Sequence, residues 1–481
     1  MGAVAVRRQP DVDARAAIAL AGLAAACGAL IGMRPGAGAG VVVVGLAVAA
    51  IAARPVLATH LVLVGTLLLA GMDRGRLVPL LRPNEAVVVI AVAGLAAHLA
   101  LCAARRTRPR LTFAPSGVDL TIVLLALLGS VAPLAWMISR EEDIVRDDVL
   151  YALQLWKYLV IYVVVRLTVR TPREVLGCLW VALGTAAVVA LLGIPQALGI
   201  PGAQDLILRI WSPQDDAGAF EPGRATSTLG SSFSVADVML FSLAIAAALL
   251  VKGHPARGVL AGLVALFAMG TLAAGQFSGV IGLLVAAVAF GMITRRLGRT
   301  LAIGALLAVL GGIALQPVIQ ARIDKFDTPR GLPPSWTGRL DNLETHFWPE
   351  LRRDRRWLTG VRPMARVKAP ERWRDWIYIE SGHTWLLWTG GVAFAAAFAL
   401  FLLVAGRRVL RVARTRGDPV GAAATASFTA LAVLAVLMTL DPHLTLRGSA
   451  ELQFALLALA LTAGGAATAR GAPRRARPAA T

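Results

Sequence analysis

Ser381-Gly382-His383-Thr384-Trp385-Leu386-Leu387-Trp388-Thr389-Gly390-Gly391 is where a hydrophilic stretch gives way to a long apolar run. Upstream lies an island, about 316–382, dense in arginine and tryptophan; downstream, 383–405 is almost wholly apolar. A membrane helix needs about 20 mainly apolar residues, and 383–405 meets that length. The same criterion picks out 16–33, 38–53, 56–72, 85–103, 117–138, 149–168, 174–194, 234–251, 257–275, 279–294, 299–316, 421–440 and 451–467. Several runs are short. The expectation is an all-α integral membrane protein of about 12–14 transmembrane helices, with one large external loop containing short amphipathic helices. No ten-residue alternation typical of a barrel is present, and lipid does not tolerate open strand edges.

The composition agrees. Of 481 residues, 57% are hydrophobic and 16% charged, with a mean hydropathy of +0.70; soluble domains carry roughly a quarter charged residues. A net charge of +20 invites a nucleic-acid reading, but the placement of the charges argues against it. Only Lys157, Lys252, Lys325 and Lys368 are lysines, leaving 44 arginines among 48 basic residues, many of them flanking apolar runs. That is the positive-inside pattern. Cys27, Cys102 and Cys178 all lie in apolar runs, which argues against a disulfide framework or a zinc site.

Basic residues in short loops set orientation. Cytoplasmic loops are marked by Arg105, Arg106, Arg108 and Arg110; by Arg166, Arg170 and Arg173; by Lys252 and Arg257; by Arg295, Arg296 and Arg299; and by Arg407, Arg408, Arg411, Arg414 and Arg416. The intervening loops are poor in basic residues or acidic, most clearly Glu141, Glu142, Asp143, Asp147 and Asp148. Fourteen spans then put both termini in the cytoplasm, with two long loops outside, about 195–233 and 317–382. The expected organisation is a bundle of about eleven spans (1–316), the large loop (317–382), C-terminal helices (383–467) and a basic cytoplasmic tail (468–481). The large loop holds thirteen Lys or Arg against nine acids. Such an arginine excess points to an anionic ligand, because the planar guanidinium suits phosphate.

Several residues could carry chemistry. Arg224 sits in a Gly/Ser-rich turn just before the 234–251 run, where it either approaches a ligand or binds a lipid headgroup. Leu340, Leu343, Phe347 and Leu351 recur at helical spacing, which predicts an amphipathic helix with Arg339 near its start, a good anion site. Trp373, Trp376 and Tyr378 read as an interfacial belt. His383 opens a helix at the membrane surface; it is either a general base or a structural residue. Lys157 lies inside a span and either faces a cavity or pairs with an acid on another helix. Asp237 is a possible partner for a basic group. His443 and Arg447 are weaker candidates. No metal cluster, nucleophile elbow, phosphate loop or dinucleotide fingerprint is present in the sequence.

The order of these features resembles the O-antigen ligase and O-antigen polymerase superfamily of bacterial membrane glycosyltransferases. The resemblance covers most of the chain. It rests on Arg224 before a helix entry, on Gly338-Arg339 followed by the Gly360 turn, and on Gly382-His383 followed by Gly390-Gly391. The chain departs from the family at Thr384, where Asn is usual, at Ser232-Phe233, where Pro-Asn is frequent, and at Gln276-Phe277-Ser278, where Ser-Arg often starts the helix. The resemblance implies a GT-C-type fold at the cytoplasmic (inner) membrane, no cofactor and no metal requirement. It implies a glycan donor on undecaprenyl diphosphate, bound at the outer face by Arg224 and Arg339. His383 would take the proton of an acceptor hydroxyl, with Arg339 as a second catalytic residue. Arg362, Arg366 or Lys157 would replace the missing arginine at the second phosphate. The acceptor would be a second lipid-linked glycan (polymerase) or a lipid or protein (ligase), with membrane lipids and envelope polysaccharide assembly proteins as further partners. The competing class is a transporter or flippase for a lipid-linked glycan or another anion.

Overall fold

Apolar sequence that must satisfy its own backbone in lipid becomes helix, and helix makes up 77% of the computed structural model. The structure describes residues 35–75, 81–109, 111, 113–211, 223–324, 334–370 and 375–462. The expected span 16–33, Cys27, Trp373 and the basic tail lie outside the described residues. Within them, each of the remaining expected runs carries a helix. Nine are long and apolar enough to cross a membrane: Pro83–Ala104, Gly117–Ser139, Arg146–Thr168, Pro172–Ala197, Ser232–Val251, Phe277–Thr294, Leu297–Ala314, Gly382–Thr415 and Pro419–Leu437. Gly38–Ala53, Val56–Leu68, Arg257–Ala273 and Ser449–Ala460 are shorter apolar helices.

Two compact units are formed. One takes in the described residues of Met1–Pro55 and Val92–Pro109, and the other Val56–Ala91 with Arg110–Thr481. In the first, Gly94 packs against Ile51, and His98 Nδ1 lies 2.7 Å from the Ala52 carbonyl oxygen. Every candidate residue described below belongs to the second unit.

At the centre of that unit stand Ser232–Val251 and Pro419–Leu437, each 78% buried, whereas Leu297–Ala314, at 6%, faces outward. The central helices are rich in Ala, Ser, Thr and Gly, which let backbones approach without a hydrophobic force between helices. Helix starts are signalled locally. Thr171 accepts from the Glu174 amide while Glu174 accepts from the Thr171 amide, a capping box ahead of Pro172–Ala197. Asp418 accepts from the Gly421 amide ahead of Pro419.

The loops sort into two sets. The basic loops meet one another: Lys252 Nζ donates to the Ala413 and Arg416 carbonyls, and Arg166 bonds Asp119 and the Ala114 carbonyl. The acidic and long loops meet at the other end, where Arg356, Arg362 and Arg366 reach Glu142, Asp148 and Asp147.

The expected amphipathic helix is broken. Pro334–Asn342 is helical, Leu343–Phe347 is a π turn, and Trp348–Arg352 resumes the helix. Pro349 has no amide to continue the ladder, and a π turn advances the helical phase. Leu343, Phe347 and Leu351 are consequently buried, while Leu340 faces outward. Arg339 is in the last turn of Pro334–Asn342, not at a helix start, so the expected helix-start anion site is absent there. The expectation of helices alone in this loop is also corrected. Arg366–Lys368 (β1) and Trp376–Tyr378 (β2) pair antiparallel, Arg366 opposite Tyr378. The Arg366 guanidinium stacks 4.0 Å from the centre of the Trp376 ring, so Trp376 covers a cation rather than serving only as an interfacial anchor.

Candidate functional site

Among the described arginines of the large loop, Arg339, Arg353, Arg356, Arg362 and Arg366 pair with carboxylates of the chain. Asp147 and Asp148 occupy the first turn of Arg146–Thr168, where carboxylates suit the helix dipole. Arg362 binds fully buried Asp148 in a fork, Nε to Oδ1 at 3.0 Å and Nη2 to Oδ2 at 2.6 Å. Arg366 bonds Asp147, and Arg356 sits 2.7 Å from Glu142. Arg356, Arg362 and Arg366 therefore fasten the loop onto the 142–148 segment. Lys157 is likewise engaged: its Nζ lies 2.6 Å from Glu451 Oε1, the ion pair with another helix that the sequence left open.

A second cluster behaves differently. Ser232 and Phe233 begin one central helix, and Gln276 precedes Phe277–Thr294. Gln276 Nε2 donates to Ser232 Oγ at 2.5 Å, joining the two helix starts. The Ala225 amide donates to the Ala273 carbonyl at 3.0 Å, which draws the Arg224 turn onto the same place. Arg339 arrives from the large loop. Its guanidinium lies 5.7 Å over the Phe233 ring, and Nη1 donates to Asp441 Oδ2 at 3.0 Å, with Glu380 Oε1 3.7 Å from Nε.

His383 follows Gly382, which packs against the turn that holds Arg339. Gly382 packs against the Met438 and Asp441 carbonyls so closely that a Cβ there would lie 2.4 Å from the first and 3.0 Å from the second. The Ser381 hydroxyl accepts from the Thr384 amide at 3.3 Å and caps the helix. His383 is exposed. Thr384, where the resembled family carries Asn, is buried and accepts from Trp348 Nε1 at 3.3 Å.

Sequence reasoning named Asp237 and His443 separately but did not join them. His443 Nδ1 lies 2.8 Å from Asp237 Oδ2, with both side chains almost wholly buried. Burial lowers the imidazole pKa, but the charge and hydrogen bond of Asp237, helped by Asp441 and opposed by Arg339, leave it raised. The His443 amide also donates to the Asp441 carbonyl at 2.7 Å. This pair therefore anchors the turn that holds Arg339. A group whose folded pKa exceeds its unfolded value of about 6.5 stabilises fully below that value and loses the contribution as pH rises through the folded pKa. Thermal unfolding followed from about pH 6 to about pH 9 should show this loss in the wild type. Asp237→Asn should flatten that part of the profile; an unchanged slope would mean that the pair does not titrate as an ion pair.

The structure thus gathers the segments that carry Arg224, Arg339 and His383 through contacts of Ala225, Gln276, Phe233 and Gly382, and attaches Arg339, Lys157 and Arg362 each to a carboxylate. Arg447 bonds the Ala70 carbonyl at 3.4 Å. Sequence reasoning missed Arg322, a buried arginine in the last turn of Gln316–Ile323. A basic residue in a helix too short to span was its only signal. Among the described residues, no three His, Cys, Asp or Glu side chains gather as a metal ion would require. No family model, curated protein or solved structure matches the chain.

Proposed function

We propose that the chain is a membrane glycosyltransferase of the O-antigen ligase and polymerase type. In this reading 12–14 helices span the cytoplasmic membrane, and the site opens on its outer face. A glycan moves from undecaprenyl diphosphate to an acceptor hydroxyl. The observation that supports the reading is that the segments bearing Arg224, Arg339 and His383 converge. They lie far apart in sequence, yet are linked through Ala225 to Ala273, Gln276 to Ser232, Phe233 beneath Arg339, and Asp441 beside Gly382.

The chemistry follows from charge. The acceptor oxygen bonds to the anomeric carbon of the donor sugar as the bond from that carbon to the diphosphate oxygen breaks. The bonding pair leaves with the diphosphate, and guanidiniums already in position stabilise the added charge. The acceptor proton passes to the His383 imidazole, which acts as general base. Asp441 and Glu380 hold Arg339, so it need not reorganise when the charge develops.

The test is transfer in liposomes that contain purified protein and a lipid-diphosphate-linked oligosaccharide, with products resolved by size. His383→Ala should lower the rate by about two to four orders of magnitude. A product ladder that depends on His383 identifies a polymerase, and a single addition to a supplied acceptor identifies a ligase. Folded wild type that forms no product across several donors and acceptors would overturn the reading in favour of a transporter. A transporter should tolerate His383→Ala while its arginines still bind.

A further inference from the structure

We infer that a cavity at the end of the bundle where the basic loops meet is a binding site for the phosphate-bearing headgroup of an anionic membrane lipid. This inference stands apart from the transferase reading and needs only that the helices span a membrane.

Three helices end at this place. Ser232–Val251 gives way to Lys252, Phe277–Thr294 gives way to Arg295, and Gly382–Thr415 brings Arg414 in its last turn. Between them lies a cavity of about 400 Å³, within the range of small-ligand sites. Lys252, Arg295 and Arg414 line it together with Thr294 and Thr425; the remaining wall is aliphatic, and no carboxylate takes part. In the sequence these cations were signs of orientation in three separate loops. In the fold they surround one space.

A cation at a helix C-terminus has an ordinary explanation, since each such end carries about half a negative charge. Three ends supply about −1.5 charges against three cations, so about half of the positive charge is left over. The hydrogen bonds agree with that count. Lys252 Nζ donates to the Ala413 carbonyl at 2.8 Å and to the Arg416 carbonyl at 2.7 Å, which leaves the third of its ammonium donors for a ligand. Arg295 and Arg414 are exposed and make no ion pair among the described residues. Asp418, the acid that Lys252 senses, is held by Arg416 and the Gly421 amide. Burial leaves the Lys252 pKa lowered although Asp418 works against it, and a bound anion favours the charged form.

Arg295 adds a separate observation. It closes its helix with φ +57°, the left-handed conformation that glycine adopts most readily and that strains an arginine. The chain accepts that strain and gains a guanidinium at the cavity.

The walls favour a lipid over a dissolved phosphate. Val251 lines the cavity and is 40% exposed, and Met292, beside the lining residue Ile293, is 59% exposed. Apolar side chains therefore continue from the cavity onto the outer flank of the helices, where acyl chains would lie. A basic pocket between membrane helices matches a phospholipid headgroup in charge and depth.

The test is lipid binding by the purified full chain in detergent, at high salt so that long-range attraction is screened. Phosphatidylglycerol, phosphatidylcholine, the acyl-free headgroup glycerophosphoglycerol and inorganic phosphate are titrated, and binding is read as a rise in melting temperature. The wild type should respond to phosphatidylglycerol and far less to the other three. Arg295→Gly combined with Arg414→Gln should weaken phosphatidylglycerol binding by about ten- to a hundredfold. Arg407→Gln combined with Arg408→Gln, which removes the same charge from exposed positions of Gly382–Thr415 outside the cavity, should leave it nearly unchanged. If the first pair does not fold, Arg295→Gly alone decides, because glycine suits that backbone, and it should bind about tenfold more weakly. Equal weakening by both pairs, or full phosphatidylglycerol binding by the folded cavity variant, would overturn the site. A response to glycerophosphoglycerol and inorganic phosphate equal to that for phosphatidylglycerol would overturn the lipid in favour of a dissolved phosphate.

Discussion

Glu451→Ala should destabilise the bundle by about 3–5 kcal/mol. The Glu451 side chain is fully buried. One oxygen lies 2.6 Å from Lys157 Nζ and accepts from Asn84 Nδ2 at 3.4 Å; the other accepts from the Gly448 amide at 2.6 Å. Truncation removes all three contacts at once and leaves Lys157, 12% exposed, without its counter-charge. An uncompensated charge at that depth is the dominant cost, while the pair itself is worth far less. The double substitution Lys157→Met with Glu451→Leu should therefore recover most of the loss. Unfolding of the two variants in detergent separates these effects. A double variant as unstable as Glu451→Ala would locate the defect in the lost Asn84 and Gly448 contacts. Retained transfer by the double variant would also settle Lys157 as a structural cation rather than a phosphate ligand.

Gly391→Ala should abolish the folded protein or leave only traces of it. Gly391 has φ +66° and ψ −163°, a region essentially reserved for glycine. A Cβ there would lie 2.2 Å from the Leu358 carbonyl oxygen and 2.6 Å from the Thr359 nitrogen. Backbone cannot yield as a side-chain tip can, so the steric overlap adds to about 1–3 kcal/mol of conformational strain. The 357–361 turn is bound to this kink: the Val361 amide donates to the Trp388 carbonyl at 2.6 Å, and the Val392 amide to the Trp357 carbonyl at 3.0 Å. Arg140 holds the same turn through the Gly360 carbonyl at 3.0 Å and the Thr359 hydroxyl. Losing the kink would detach the large loop from the helix that begins with His383. The contrast is Gly338→Ala, where a Cβ would meet nothing within 4 Å. Expression yield and melting temperature of the two variants provide the check. Similar yields would mean that the 358–391 contact relaxes freely.

Much of the architecture was legible in the sequence because the rule behind it is local. A run of apolar residues in lipid has one way to satisfy its amides, so helices follow from composition. Thr171 with Glu174 and Asp418 with Pro419 mark helix starts within a few residues of chain. The two sets of loops were legible from charge, and Lys252 meeting the Arg416 carbonyl while Arg362 meets Asp148 agrees with that grouping. The large loop was harder. The spacing of Leu340, Leu343, Phe347 and Leu351 predicted one helix, but Pro349 and the π turn shift the register, and the β hairpin depends on a pairing across seven intervening residues.

The site divides in the same way. Sequence by itself singled out Arg224 and His383 where a loop meets an apolar run, and Arg339 within the large loop, as candidate residues. It could not rank the cations, because whether a cation is available depends on which acid the fold places beside it. Only the tertiary structure assigned Lys157 to Glu451, Arg362 to Asp148 and His443 to Asp237. A side chain's type is written in one position of the chain; its free charge is set by neighbours that come from far away in sequence.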